Sequence, residues 1–287
     1  MPSLTDLARL VRAPAALSVP GDVFAGAAAA GGLNRRSPAL AAASVLLYWA
    51  GMAGNDWADR ELDAVERPDR PIPSGRVRPG EALGIAVGLT VAGVAVAGLA
   101  GGRPALAVAV PLAGAVWAYD LVAKNTAAGP AVMATCRGLD VLLGAGARPA
   151  RALPAAAVVA AHTWTVTALS RREVHGAHPA LPLSTLAGTT AVVAAAVVGS
   201  GRTAGWQRRA LTSVLAGWYA AGYGTAQARA AANPDADRVR AAVGAGITGL
   251  PALQGALLAR AGAAVPGLAV ALAAPLGRRL ARKVSPT

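Results

Sequence analysis

Apolar runs recur along the whole chain, at about 14 to 32, 39 to 54, 81 to 100, 104 to 119, 128 to 147, 153 to 169, 181 to 199, 207 to 226, 239 to 259 and 263 to 277. Each lies within a few residues of the roughly 20 that cross bilayer hydrocarbon. Inside lipid a segment must satisfy its own backbone N–H and C=O groups, so runs of this length are read as helices. Only 14% of the residues are charged against 55% hydrophobic, and mean hydropathy is +0.47. The chain is therefore expected to be an all-α, polytopic membrane bundle of nine spanning helices around a central cavity, with the last segment a candidate tenth. No polar stretch exceeds about 30 residues, so residues 1–287 are read as one domain.

Glycine and alanine dominate these runs. Small residues let membrane helices meet backbone to backbone, as Gly26 with Ala30 or Gly84 with Gly88 could do. At the N-terminus, Arg9 and Arg12 precede an apolar run much as in a signal peptide, but Pro20, Gly21 and Asp22 interrupt it. A retained first helix is expected.

A net charge of +13 would suggest nucleic acid in a soluble protein. Here the basic residues sit between apolar runs, and aromatics make up 4% of the chain with no stacking surface among the cations. No nucleic-acid partner is expected. With the N-terminus inside, seventeen Lys and Arg fall on inside stretches and nine on outside connections. The positive-inside rule then places the 55–80, 120–127 and 170–178 loops in the cytoplasm of a multi-pass cell-membrane protein.

The polar chemistry concentrates on that face. Between Asn55 and Gly75 the sequence NDWADRELDAVERPDRPIPSG holds six of the fourteen carboxylates at the end of an apolar run. On a helix Asp56, Asp59 and Asp63 stand at i, i+3 and i+7, within about 60° of arc. Three anionic heads in a poorly solvated place require a compensating cation. Hard oxygen ligands suit Mg²⁺, which keeps waters and bridges phosphate oxygens.

The pattern Asn55-Asp56-x-x-Asp59-x-x-x-Asp63, followed by Arg70-Pro71-Ile72-Pro73-Ser74-Gly75, resembles the first aspartate-rich motif of the UbiA superfamily of intramembrane prenyltransferases. The resemblance implies that these carboxylates hold Mg²⁺ and that the ions hold a prenyl pyrophosphate. It extends to Tyr119, Asp120 and Lys124, with Lys124 expected to clamp phosphate. The run GPAVMATCRGLDVLLG carries Arg137 and Asp140 at i and i+3, two ionisable residues inside a membrane helix. Such residues face the bundle interior, as a structural ion pair or as a pyrophosphate or acceptor contact. Asp22 is a further intramembrane carboxylate, read as lining the cavity.

The chain departs from the family where a second aspartate-rich motif would close the sixth helix. That position reads ALSRREVHG, with Glu173 as its lone carboxylate. DAVERPDRPIPSG, CRGLD and LSRREVHG together resemble the EboC-like branch of the superfamily. On this resemblance Asp56, Asp59, Asp63 and Glu173 carry metal, Asn55 orders the metal shell, and Arg70, Lys124 and Arg171 bind phosphate. Tyr119, Arg137, Asp140, Ser170 and His175 contact substrate. No cysteine or further histidine accompanies His175 and His178, which argues against zinc there, and His178 before Pro179 is read as a loop residue.

The expected activity is Mg²⁺-dependent transfer of a prenyl group from its pyrophosphate to an unidentified lipophilic or aromatic acceptor. One alternative keeps the fold but acts as a terpene cyclase or isoprenoid carrier. A transporter is the alternative from another class. It would place ionisable groups near the midplane in related halves, whereas these crowd one face.

Overall fold

The computed structural model describes residues 2–198 and 205–273, and these are helical with no strand. Arg202, the four basic residues beyond Leu276 and the end of the last apolar segment lie outside the described residues. The helices are α1 (Leu4–Leu10), α2 (Pro20–Ala29), α3 (Ser37–Ala58), α4 (Arg60–Glu66), α5 (Pro79–Ala118), α6 (Gly129–Gly144), α7 (Pro149–Ser170), α8 (Ala180–Val198), α9 (Trp206–Tyr219), α10 (Thr225–Ala232), α11 (Ala236–Arg260) and α12 (Ala264–Ala273). Among the described residues, five helical stretches are long and apolar enough to cross a membrane: Ser37–Ala58, Pro79–Ala123, Pro149–Ser170, Ala180–Val198 and Ala236–Arg260.

The 40 residues of α5 form two limbs. Gly102 adopts φ 67° and ψ −155°, a conformation open to glycine, and Pro104 follows it. The limbs fold back on each other, so that Trp117 Nε1 donates to Thr90 Oγ1 at 3.2 Å. The two apolar runs at 81 to 100 and 104 to 119 are thus separate limbs, as their sequence separation implied.

The first apolar run differs from expectation. It is broken into a 3₁₀ turn at Ala13–Ser18 and the ten-residue α2, too short to span. Pro20 supplies no N–H and opens α2 at its first position, so the turn before it does not continue.

Close packing through small residues holds where α2 crosses α6. A Cβ on Gly26 would lie 1.7 Å from the Val141 carbonyl oxygen, and one on Gly144 would lie 1.9 Å from that of Val23. The expectation for Gly84 and Gly88 fails, because nothing lies within 4 Å of a Cβ at either. Those glycines face outward.

The core has two lobes that share α2 and α6. One joins Leu40, Leu47, Ala97, Ala109 and Leu112 of α3 and α5 to Val23 and Leu143. The other gathers Val159, Leu169, Tyr219, Tyr223, Leu253 and Leu257 from α7, the α9–α10 region and α11. Large apolar side chains such as Val91, Leu99, Leu153 and Val214 remain on the outside, as a lipid-facing surface requires.

Candidate active site

The acidic stretch begins where α3 ends. Asp59 leaves helical geometry (φ −89°, ψ 5°) and α4 starts at Arg60, although Asp59 N and Asp63 N still donate to the carbonyls four residues back, at 2.9 and 2.8 Å. The three aspartates therefore do not present one undivided face. Asp56 and Asp63 are brought together, while Asp59 turns to another partner.

The RPIPSG segment explains the first pairing. Ser74 N donates to Arg70 O at 3.0 Å, Val77 N to Pro71 O at 2.9 Å, and Gly75 closes the turn at φ 75°. This compact cap buries Ile72 and Val77 against Leu10 of α1 and Ala53 of α3. Folding the chain back in this way returns Arg70 to the helix end. Its Nη1 lies 3.2 Å from Asp56 Oδ1 and 2.5 Å from Asp63 Oδ2. Arg67 adds a contact to Asp63 Oδ1 at 3.2 Å. Arg76 reaches Asp6 of α1 at 3.0 Å. The Ser3 hydroxyl, with the Arg76 guanidinium beside it, holds the Asp6 carboxyl below the usual carboxylate range.

Arg12 is a site residue that sequence reasoning counted only as a topological charge. Its Nη2 lies 2.9 Å from Asp56 Oδ1. It is the one described non-glycine residue with positive φ (47°), a strained geometry of the kind that persists where surrounding structure over-determines it. Forty-four positions separate it from Asp56, and no local motif signals the pairing.

Asp59 faces the turn after α5. Lys124 Nζ lies 2.6 Å from Asp59 Oδ1 and donates to Asn55 Oδ1 at 3.2 Å, and Asn55 Nδ2 donates to Asp59 Oδ2 at 3.2 Å. Between them runs a π-helical turn, Tyr119–Ala123, closed by Lys124 N donating to Tyr119 O at 3.0 Å. Arg171 binds the main chain of this turn through the carbonyls of Lys124, at 3.2 Å, and Thr126. Ser170 donates to the Thr167 carbonyl in its own helix at 3.0 Å.

The rest of the 170–178 loop is tied to the start of α11 and the turn before it. Ala177 N donates to Pro234 O at 2.9 Å, and Arg240 donates to the Glu173 carbonyl at 3.2 Å. His175 is exposed, and His178 Nδ1 accepts from Ala180 N at 3.3 Å to begin α8. Among the described residues no three His, Cys, Asp or Glu side chains form a metal-holding group.

Below the aspartates lies a cavity of about 90 Å³, lined by Leu47, Met52, Leu112, Val116 and Met133 and by a few polar groups. Tyr119 and Asp120 are among its walls, as are Ser44, Arg137 and Asp140. Of the two readings of Arg137 and Asp140, the ion pair between them is not formed. Arg137 Nη2 pairs with Asp22 Oδ2 at 2.8 Å, and the Ser44 hydroxyl donates to Asp140 Oδ1 at 2.5 Å. Gln254 Nε2 donates to Asp22 Oδ1 at 2.6 Å and to Ser18 O at 2.8 Å. Asp22 is thus buried against α6 and α11 as a structural partner of Arg137, a buried charge compensated by charge and hydrogen bonds together.

The family model of the UbiA prenyltransferase family matches residues 19–173. The digeranylgeranylglyceryl phosphate synthase of Methanothrix thermoacetophila is 48% identical over 86 residues, 27% of this chain and 32% of that protein. That of Natronomonas pharaonis is 39% identical over 152 residues, 51% of this chain and 54% of the relative. The chain thus aligns with about half the length, or less, of these curated relatives. A solved digeranylgeranylglyceryl phosphate synthase structure superposes with a TM-score of 0.66 at 17% identity, covering 90% of this chain and 98% of the other. The apo UbiA homolog from Aeropyrum pernix K1 does so with a TM-score of 0.64 at 19% identity, covering 85% and 96%. These two likenesses speak to the fold. With the family match spanning more than half the chain and the fold shared over 90% of it, this multi-pass membrane protein belongs to the UbiA prenyltransferase family.

Proposed function

We propose that the protein transfers a prenyl group from a prenyl pyrophosphate to a lipophilic acceptor in the presence of Mg²⁺, with the pyrophosphate bound at the end of α3. The observation that carries this reading is the convergence of Asp56 and Asp63 on a single nitrogen of Arg70 above an apolar cavity. Mg²⁺ is ordinarily held by one or two carboxylates, with waters and substrate phosphates completing its shell. The two oxygens that meet at Arg70 fit that donor set, and Asp59 and Asn55 stand beside them. When bound, the ion offsets charge developing on the departing pyrophosphate.

The chain's own cations serve the same end. Arg12, Arg70 and Lys124 each contact a carboxylate now and can turn to phosphate oxygens. Arg171 holds the Lys124 turn in place rather than reaching phosphate itself. Leu47, Met52, Leu112 and Val116 keep water from the allylic cation. Glu173 remains the local carboxylate of the altered second motif, and its removal tests whether it holds an ion.

The names of the curated relatives support a geranylgeranyl donor and a lipid acceptor for this chain. The EboC-like assignment rests on DAVERPDRPIPSG, CRGLD and LSRREVHG, and the cytoplasmic placement of the loops rests on the charge asymmetry. The test of the reading is Mg²⁺-dependent binding of a geranylgeranyl pyrophosphate analogue by the purified protein, lost in Asp56→Asn and Asp63→Asn.

A further inference from the structure

Asp120 is buried at 4% exposure on the cavity wall, yet its carboxylate accepts no hydrogen bond. Oδ2 is sealed from water against α3, where ideal Cβ positions on Gly51 and Gly54 would fall 3.7 and 3.5 Å from it. The neighbouring cation gives it no contact, because Lys124 is engaged with Asp59 and Asn55. A buried carboxylate left unpaired costs several kcal/mol, and the other buried carboxylates of this region have partners: Asp140 the Ser44 hydroxyl, and Asp22 the Arg137 guanidinium and Gln254. The π-helical turn at Tyr119–Ala123 sets Asp120 against α3. Such single π-turns are frequent at functional sites.

Position narrows what this carboxylate can do. Gly51 and Gly54 lie five and two residues before Asp56, so Asp120 stands about 3 to 8 Å below the proposed pyrophosphate site at 1.5 Å per residue. That is the depth at which an acceptor would meet the reacting end of the prenyl chain. Asp140 is eleven residues along α6 from Gly129 at the mouth, about 16 Å deeper, and is already bonded to Ser44. Arg137 is committed to Asp22.

We propose that Asp120 is a catalytic residue that takes the proton from an acceptor presenting a hydroxyl group, a proposal that rests on the prenyl-transfer reading above. The bond between prenyl C1 and the pyrophosphate oxygen breaks and its electron pair leaves with pyrophosphate. The acceptor oxygen forms the new bond to C1, and its O–H proton passes to the Asp120 carboxylate. The product is an allylic ether, with no redox change. The bare backbone at Gly51 and Gly54 leaves the carboxylate in ordinary van der Waals reach of α3, and at Gly51 it is Val116 Cγ1, 2.8 Å from an ideal Cβ, that requires glycine.

The test uses full-length protein in lipid nanodiscs, tritiated geranylgeranyl pyrophosphate, Mg²⁺, and the total lipid of the membranes that contain the protein as acceptor pool. Binding of geranylgeranyl thiolodiphosphate is measured alongside. Asp120→Asn is expected to bind the analogue within about threefold of wild type, while transfer of label falls about 100-fold or more. Asp120→Glu is expected to recover part of that loss, and the labelled product is expected to cleave in acid as an allylic ether. Unchanged transfer by Asp120→Asn, or an acid-stable carbon–carbon product, overturns the proposal. Loss of binding together with transfer overturns it too and assigns Asp120 to the phosphate or ion site. Wild-type protein that binds no analogue overturns this proposal and the prenyl-transfer reading together, an outcome distinct from those confined to Asp120.

Discussion

Lys124 Nζ lies 2.6 Å from Asp59 Oδ1, tying the turn after α5 to the end of α3. Both side chains are largely buried, so the contact escapes much of the screening that makes surface pairs weak. A single cation thereby holds the two elements that frame the proposed pyrophosphate site. Lys124→Met is expected to weaken binding of geranylgeranyl thiolodiphosphate about tenfold, or roughly 1.4 kcal/mol, with Lys124→Arg closer to wild type. Calorimetric titration of the three proteins measures this, and equal affinities would remove Lys124 from the site.

The cap at residues 67–78 is a packing device for Arg70. Ile72→Ala removes a side chain buried against Leu10 and Ala53 and is expected to cost about 2 kcal/mol locally. Because the loss frees the segment that carries Arg70, hydrogen exchange should accelerate across 67–78 and analogue affinity should fall. The protein should remain folded. Faster exchange with unchanged affinity would show that Arg70 is held without the cap.

The α2–α6 crossing tolerates no side chain at its closest points. Gly144→Ala would bring a Cβ to 1.9 Å from the Val23 carbonyl oxygen, so the helices must part, at a cost of about 1 to 3 kcal/mol or more. Gly84→Ala meets open space and should leave the melting temperature within experimental error. Thermal unfolding in detergent separates the two, and equal melting temperatures would contradict the packing account.

Much of the fold could be read from periodic hydrophobicity. The break between the α5 limbs was visible as a Gly-Gly-Arg-Pro interruption, and the last turn of α3 as the onset of Asn55-Asp56, just before the helix ends at Ala58. What escaped was tertiary. The pairing of Arg137 with Asp22 rather than Asp140 is set by where α2 crosses α6, which spacing within one helix cannot reveal. Arg12 reaches Asp56 through a strained turn far away in sequence, and Asp120 stands out by a buried oxygen without a hydrogen-bond partner, which only the packing of its turn reveals. The outward-facing Gly84 and Gly88 show the converse: a small-residue motif marks a permitted close approach without fixing where it occurs.

The 170–178 loop gives a contrast between two neighbours. Arg171→Ala releases the carbonyls of Lys124 and Thr126 and is expected to weaken analogue binding several-fold, on the order of 1 kcal/mol, with an unchanged Mg²⁺ requirement. Glu173→Gln removes a side chain whose loop is anchored to the Pro234 turn and should have the smaller effect on binding. A tenfold rise in the Mg²⁺ needed by Glu173→Gln would instead assign it as an ion ligand.

The cytoplasmic placement proposed for the 55–80 and 170–178 loops rests on the charge count on the connections. Single cysteines at Ala64 and Ala177 in a Cys136→Ala background should resist a membrane-impermeant thiol reagent in intact cells and react after permeabilisation. Labelling of both from outside would invert the topology.

Asp56 and Asp63 are proposed to act together, through an ion, on pyrophosphate. The most direct measurement is equilibrium binding of geranylgeranyl thiolodiphosphate to the wild type, Asp56→Asn, Asp63→Asn and the surface control Glu61→Gln, each with Mg²⁺ and with EDTA. Mg²⁺-dependent binding is expected of the wild type and Glu61→Gln, and at least tenfold weaker binding of both aspartate variants, about 1.4 kcal/mol or more. Mg²⁺-dependent binding retained at full affinity in both aspartate variants would contradict that joint action.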